Sequence, residues 1–320
     1  MAYGITVPFA GVTLAEHRSW FEELAELGYS DVWSSEADGT DAFTPLALAA
    51  AWAPSLRLGT AIVPAYTRGP ALIAQSVAAL AEAAPGRFAF GIGTSSEVIV
   101  RRWNDVEFDK PLQRTRDVVR FLRAALAGER VDEEYETFRV RGFRLGRPPA
   151  QVPPILVAAL RPGMLHLAGQ EGDGAIINWL AADDVPRVVG EMGPGRDVVA
   201  RIFVCPSEDT SAVREHARRL VAAYLTVPVY AAFHDWLGRG DQLRAMAEAW
   251  AAGDRKAAVA AIPDEVVDAL VLHGSPGSVR AQVQRYVDNG VTTPVLALLP
   301  FAGVDQRAAL QQLAPRAPQR

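Results

Sequence analysis

The chain has 320 residues, 50% of them hydrophobic and 22% charged, with a formal net charge of −5. Such a composition belongs to a globular protein with enough chain for a large core, and the acidic balance argues against nucleic-acid binding. A lone cysteine, Cys205, leaves no internal disulfide, and no run of about 18 apolar residues is free of charge, so a cytoplasmic protein without a membrane span is expected.

The N-terminal stretch MAYGITVPFAG lacks the basic and long apolar regions of a signal peptide and reads as a first strand over 3–9. A helical pattern follows over 13–28, where Trp20, Leu24 and Leu27 share a face, Thr13 is placed to cap and Gly28 to terminate. The same alternation repeats down the chain. Strands are expected at 31–35, 56–63, 87–92, 154–159, 174–179, 200–205 and 294–300, and helices at 42–53, 70–84, 112–127, 162–170, 183–193, 208–226 and 276–289. The strands are mostly apolar throughout, as in a parallel sheet buried on both faces. Eight of them, alternating with helices, make an α/β fold, a (β/α)8 TIM barrel spanning residues 1–320 as a single domain, with a doubly wound sheet as runner-up. Extra segments lie near strands 4 and 7, at about 93–111, 128–153 and 227–274. Within the second, EEYETFRVRGFRLG (133–146) alternates like a hairpin, and the third reads as extra helices.

A barrel gathers its chemistry at the C-terminal ends of its strands. There the sequence places Phe9, Glu36, Asp38, Ala61, Ile62, Tyr66, Gly91 to Ser96, Ala159 to Gly163, Asn178 and Trp179. The set is rich in small residues, carboxylates and aromatics but poor in catalytic machinery. The five histidines share no ligand spacing, so no bound metal is expected, and there is neither a GxSxG elbow nor a GxxxxGK[ST] loop. No lysine stands at a strand end to form a Schiff base, which counts against a cofactor-free aldolase. Asp41 reads as a helix cap, Cys205 as a buried small hydrophobe, and Glu36 as either pocket lining or a structural hydrogen-bond acceptor. A mouth so short of nucleophiles and ligands points to a cofactor that carries the chemistry. Gly91 and Gly93, at the end of RFAFGIG, then leave room for a flat ring or a phosphate, or serve tight packing alone.

Several stretches in one order resemble the luciferase-like monooxygenase family of flavin and deazaflavin barrels. They are VWSSEADGTDAFTPLALAA (32–50), RLGTAIVPAYTRGPALIAQSVAALAEAAPGRFAFGIGTSS (57–96), PLQRTRDVVRFLRAALAGE (111–129), VPPILVAALRPGMLHLAGQEGDGAIINWL (152–180) and GSPGSVRAQVQRYVDNGVTTPVLALLP (274–300). The resemblance implies a cofactor ring in the barrel mouth, running along Gly93, Thr94, Ser95 and Ser96. It also implies a non-prolyl cis peptide at Ala61–Ile62 behind the ring. The cofactor phosphate would lie at Ala159, Leu160, Arg161, Pro162 and Gly163, where a helix N-terminus suits an anion. Many members carry a histidine after the acidic residue of the second strand; here Glu36 is followed by Ala37, which leaves Glu36, Asp38 or solvent to supply a proton.

Two cofactors fit that resemblance. Coenzyme F420, an 8-hydroxy-5-deazaflavin, serves hydride transfer to and from a small organic substrate, and the GTSSEVIVRRWN and Glu-Ala-Asp runs look more like that branch. FMN is the alternative, in a two-component monooxygenase with a reductase partner supplying reduced flavin; a non-catalytic flavin-binding protein is a further reading. Phe9, Tyr66, Trp103, Asn178 and Trp179 are the expected substrate-pocket residues, and a homodimer is a family-level expectation.

Overall fold

Eight parallel strands close on themselves in the computed structural model, which describes residues 3–301 and 303–315. They are β1 (Gly4–Val7), β2 (Asp31–Ser34), β3 (Arg57–Thr60), β4 (Phe88–Gly93), β5 (Ile155–Ala158), β6 (Gly174–Asn178), β7 (Asp197–Cys205) and β8 (Thr293–Leu298). Each pairs with the next in chain order, and β8 returns to β1 with Gly4 opposite Val295 and Ile5 opposite Leu296. Closure decides for the barrel over a doubly wound sheet.

The outer layer begins with α1 (His17–Glu26), α2 (Phe43–Trp52), α3 (Pro70–Ala83), α4 (Pro111–Leu126), α5 (Pro162–Gln170), α6 (Val185–Met192) and α7 (Thr210–Leu225). Then follow α8 (Pro228–Trp236), α9 (Gly240–Ala251), α10 (Arg255–Ala260), α11 (Asp264–Leu270), α12 (Pro276–Asp288) and α13 (Gln306–Leu313). Between α11 and α12 a short strand, Val271–His273, pairs with the end of β7. The helix α13 has no counterpart in the sequence reading.

The three extra segments take distinct forms. Residues Val98–Trp103 make a turn of π-helix. Val131–Glu134 and Arg139–Phe143 form the antiparallel hairpin that the alternation implied, two residues earlier than its expected start. The third is α8 to α11. The strand expected over 56–63 is interrupted: Ala61 and Ile62, joined by a cis peptide bond, separate β3 from Val63–Pro64, which pairs with Ile92 and Gly93 of β4.

Side-chain alternation divides the strands cleanly. In β7, Val198, Ala200, Ile202 and Val204 pack outward into the large core beneath the helices, while Val199 faces the barrel interior with Trp33, Ala89, Leu156, Ile176 and Val295. Trp33 fills the floor because its neighbours have no side chains: a Cβ on Gly59 would lie 2.2 Å from the indole and one on Gly4 3.0 Å from it. One bulky residue and two glycines thus replace three medium-sized ones, at constant packing.

Candidate active site

Above the Trp33 floor the inward positions become small. Thr6, Ala61, Gly93, Ala158 and Ala297 ring the mouth, with Asn178, Arg201 and, one pleat above Arg201, Phe203 the large exceptions. A narrow cleft of about 10 Å3, room for a single water, is lined by Thr6, Trp33, Ser34, Ser35, Ala61, Ile176, Val199, Arg201 and Val295. Small side chains at the strand ends are what the approach of a flat ring requires.

Gly91 has a different task from the one its position invited. A Cβ there would come within 2.0 Å of the Thr60 carbonyl oxygen and 2.3 Å of Ile176, so its missing side chain serves contact between β4 and the β3 end. Thr60 completes this join: its hydroxyl donates to the Gly91 carbonyl at 2.9 Å and accepts from the Gly91 N–H at 2.8 Å. Gly93 lies one pleat higher, where a Cβ would meet Ala158 at 2.8 Å and Ile62 at 3.1 Å. Beyond it Thr94, Ser95 and Ser96 are half-buried, and Ser95 adopts a φ of +63°, a region that non-glycine residues rarely occupy.

Glu36 is held on both of its oxygens. Arg68 Nε donates to each at 3.0 Å, Arg68 Nη2 donates to Oε2 at 2.8 Å, and the Ala42 N–H donates to Oε2 at 3.3 Å. Arg68 itself lies over the Phe43 ring, 5.1 Å from its centre. This cluster ties the loop after β2 to the loop after β3, and it occupies the carboxylate that the sequence offered as a proton source. Asp38, on the same loop, is exposed. Asp41 caps α2 as expected, accepting from the N–H groups of Phe43 (2.8 Å) and Thr44 (3.0 Å).

At the end of β5, Ala159 is buried, Leu160 half-buried, and Arg161 exposed at the start of α5. Pro162 occupies the first helical position, where its missing N–H is no loss. The N–H groups of the following first turn, beginning at Gly163, have no acceptor within the helix and point out of its N-terminus, a suitable cradle for an anionic group.

The aromatic candidates scatter. Phe9 stacks between His17 and Trp20 on the α1 side, with ring centres 5.7 and 4.7 Å away, and its N–H donates to His17 Nε2. Tyr66 donates to the Asp109 carbonyl at 2.6 Å, and burial pushes its phenol up to about 12. Trp179 is 1% exposed and stacks on Phe203 at 4.0 Å and Tyr224 at 4.5 Å. Trp103, at 56%, stands in solvent. Of the expected pocket residues, Asn178, which donates to the Tyr230 hydroxyl at 3.3 Å, reaches the β6–β7 side of the mouth as a polar group. Cys205 is buried, and burial pushes its thiol up to about 11. Among the described residues no group of three His, Cys, Asp or Glu stands close enough to share a metal, and no helix is long and apolar enough to cross a membrane. The sequence reading overlooked Arg201 and Arg68. A lone arginine inside the apolar run ARIFVC was a visible signal; nothing marked Arg68, whose partner lies 32 residues away.

The family model for luciferase-like monooxygenases matches residues 1–293. The chain belongs to the luciferase-like monooxygenase family. Luciferase-like relatives include a 5,10-methylenetetrahydromethanopterin reductase of Archaeoglobus fulgidus, 26% identical, with 91% of this chain and 92% of that one aligned. An F420-dependent hydroxymycolic acid dehydrogenase of Mycobacterium tuberculosis is 30% identical over 59% of this chain and 58% of its own. Among solved structures, the coenzyme F420-dependent tetrahydromethanopterin reductase of Methanopyrus kandleri superposes with a TM-score of 0.79, at 20% identity, covering 98% of this chain and 97% of that chain. That likeness is one of fold.

Proposed function

We propose that this luciferase-like chain is an oxidoreductase that transfers hydride between coenzyme F420 and a small organic substrate. The observation that carries the reading is the mouth itself: a ring of small residues above a tryptophan floor, beside a free helix N-terminus. Relatives named as a reductase and as an F420-dependent dehydrogenase support it. When bound, the deazaflavin supplies the hydride chemistry. The chain's work is orientation: Ala61 and Ile62 back the ring, Gly93 to Ser96 border it, and the first turn of α5 with Arg161 meets its phosphate. With Glu36 engaged by Arg68, the exposed Asp38 or solvent exchanges the accompanying proton.

A titration of the purified protein with F420 and, separately, with FMN tests the reading, followed through cofactor fluorescence. Tight F420 binding with weak FMN binding is expected. The opposite order favours the second reading, a two-component FMN monooxygenase with a reductase partner, which the family's own name keeps in play. Binding of neither removes both readings. Sedimentation of the same sample tests the homodimer that we propose as its assembly.

A further inference from the structure

Three side chains that line the cleft carry a buried polar atom with no hydrogen-bond partner: Thr6 Oγ1 on β1, Trp33 Nε1 on β2 and Arg201 Nε on β7. All three are donors. Buried donors are almost always paired, so three orphans lining one cleft call for an acceptor oxygen there, a water in the free protein that a ligand's oxygen can replace. Arg201 is the most telling. Among the described residues its guanidinium makes no hydrogen bond or ion pair, and it lies over the face of Phe203, 5.0 Å away. Burial pushes the guanidinium below its ordinary range, while the nearby phenols of Tyr224 and Tyr230 oppose the shift. Arg201 is half-buried with its Nε sealed from solvent, and such an unpaired cationic donor is costly unless a ligand supplies the counter-charge.

Its place in the barrel says which ligand. In a closed ring of eight strands, β7 lies diametrically opposite β3. On the reading above, β3 and the Ala61–Ile62 bond back the cofactor ring, so Arg201 confronts the open face, where substrate binds. We propose that Arg201, with Thr6 and Trp33, forms an oxyanion subsite on the substrate side of the mouth, and that the substrate is an organic acid held there by its carboxylate. Arginine suits a planar carboxylate through its fork of donors, and the low-dielectric cleft strengthens the contact. The placement on the substrate side rests on the cofactor reading; the presence of an anion subsite does not.

Calorimetric titrations with acetate, benzoate and neutral benzamide, on cofactor-free and F420-loaded protein at fixed ionic strength, test this. Wild type is expected to bind a carboxylate saturably and benzamide at least tenfold more weakly. Arg201→Met is expected to lower carboxylate affinity at least tenfold, Arg201→Lys to restore part of it, and Thr6→Val to lower it by two- to fivefold. Carboxylate binding unchanged in a folded Arg201→Met protein overturns the proposal, as does a wild type that binds no carboxylate. If Arg201→Met instead lowers F420 affinity tenfold while wild type binds no carboxylate, the oxyanion belongs to the coenzyme ring and the substrate assignment is overturned. If F420 fails to bind but Arg201-dependent carboxylate binding persists, the subsite stands and only the cofactor reading falls.

Discussion

Glycine and serine at the strand ends show how little a residue type says before its neighbours are known. GIGTSS reads as a row of small residues next to a ring, yet the first glycine is consumed by a carbonyl of β3 and the second touches β5. Gly59 is the stricter case. Gly59→Ala puts a Cβ into the Trp33 indole and should cost about 1–3 kcal/mol through overpacking, read as a lower denaturant midpoint. An unchanged midpoint would mean that Trp33 does not lie on the floor. Ser95 offers a sharper test of the cofactor border. Ser95→Ala and Ser95→Gly remove the same hydroxyl, but only glycine relieves the positive φ. A loss of F420 affinity common to both, about fivefold for one hydrogen bond of about 1 kcal/mol, would report the hydroxyl; a loss in one alone would report backbone geometry.

Elements act here through their ends. The carboxylate of Glu36 sits at the end of β2, and its fork of bonds to Arg68 couples that end to the segment leading into α3. With both side chains four-fifths buried or more, Glu36→Gln should lower stability by about 1–3 kcal/mol, since it leaves the guanidinium only the more distant carboxylate of Asp41, at 3.7 Å. The double variant with Arg68→Met should lose less than the sum of the two singles, as partners in contact do. A proton donor would behave otherwise: turnover would collapse with stability intact. At the start of α5, Arg161 is exposed and its contribution to phosphate binding is screened. Arg161→Ala should weaken F420 binding by about three- to tenfold at low salt and by less as salt rises. An affinity loss that ignores ionic strength would rule out a charge contact.

Across the whole molecule, the long excursion between β7 and β8 builds a second apolar cluster, in which Trp179, Phe203 and Cys205 from the barrel meet Val213 of α7 and Leu243 and Val266 of the added helices. His234, on α8, is fully buried; burial, then the charge of Arg239, pushes it down to about 4 from 6.5. In the unfolded chain this histidine takes up a proton near 6.5, while the native one resists until near 4. Its neutral burial is therefore without penalty above 6.5, and stability falls as pH drops from there toward 4, by at most about 1.4 kcal/mol per pH unit for one proton. Urea midpoints at about pH 7.5 and about pH 5 should separate more in wild type than in His234→Phe, which keeps the ring volume and removes the titration. Equal separations would show that His234 is not the group responsible.

The order of strands and helices was legible in the chain itself, because apolar strands spaced by amphipathic helices leave a parallel sheet as the way to bury both faces. The hairpin and the extra helices were legible for the same reason of period, and the family followed from several stretches in one order. α13 and the π-turn at Val98–Trp103 were not: a π-turn does not follow the α-helical period, and α13 buries only Ala309, Leu310 and Leu313. What the tertiary structure alone decided is who meets whom. Trp33 needs Gly4 and Gly59 from neighbouring strands; Glu36 needs Arg68 from the next loop; Arg201 acquires meaning only when closure sets β7 across from β3. Local pattern determines which residues form strands and which side of each faces inward. The contents of the mouth depend on pairings between distant residues, and those exist only once the barrel has closed.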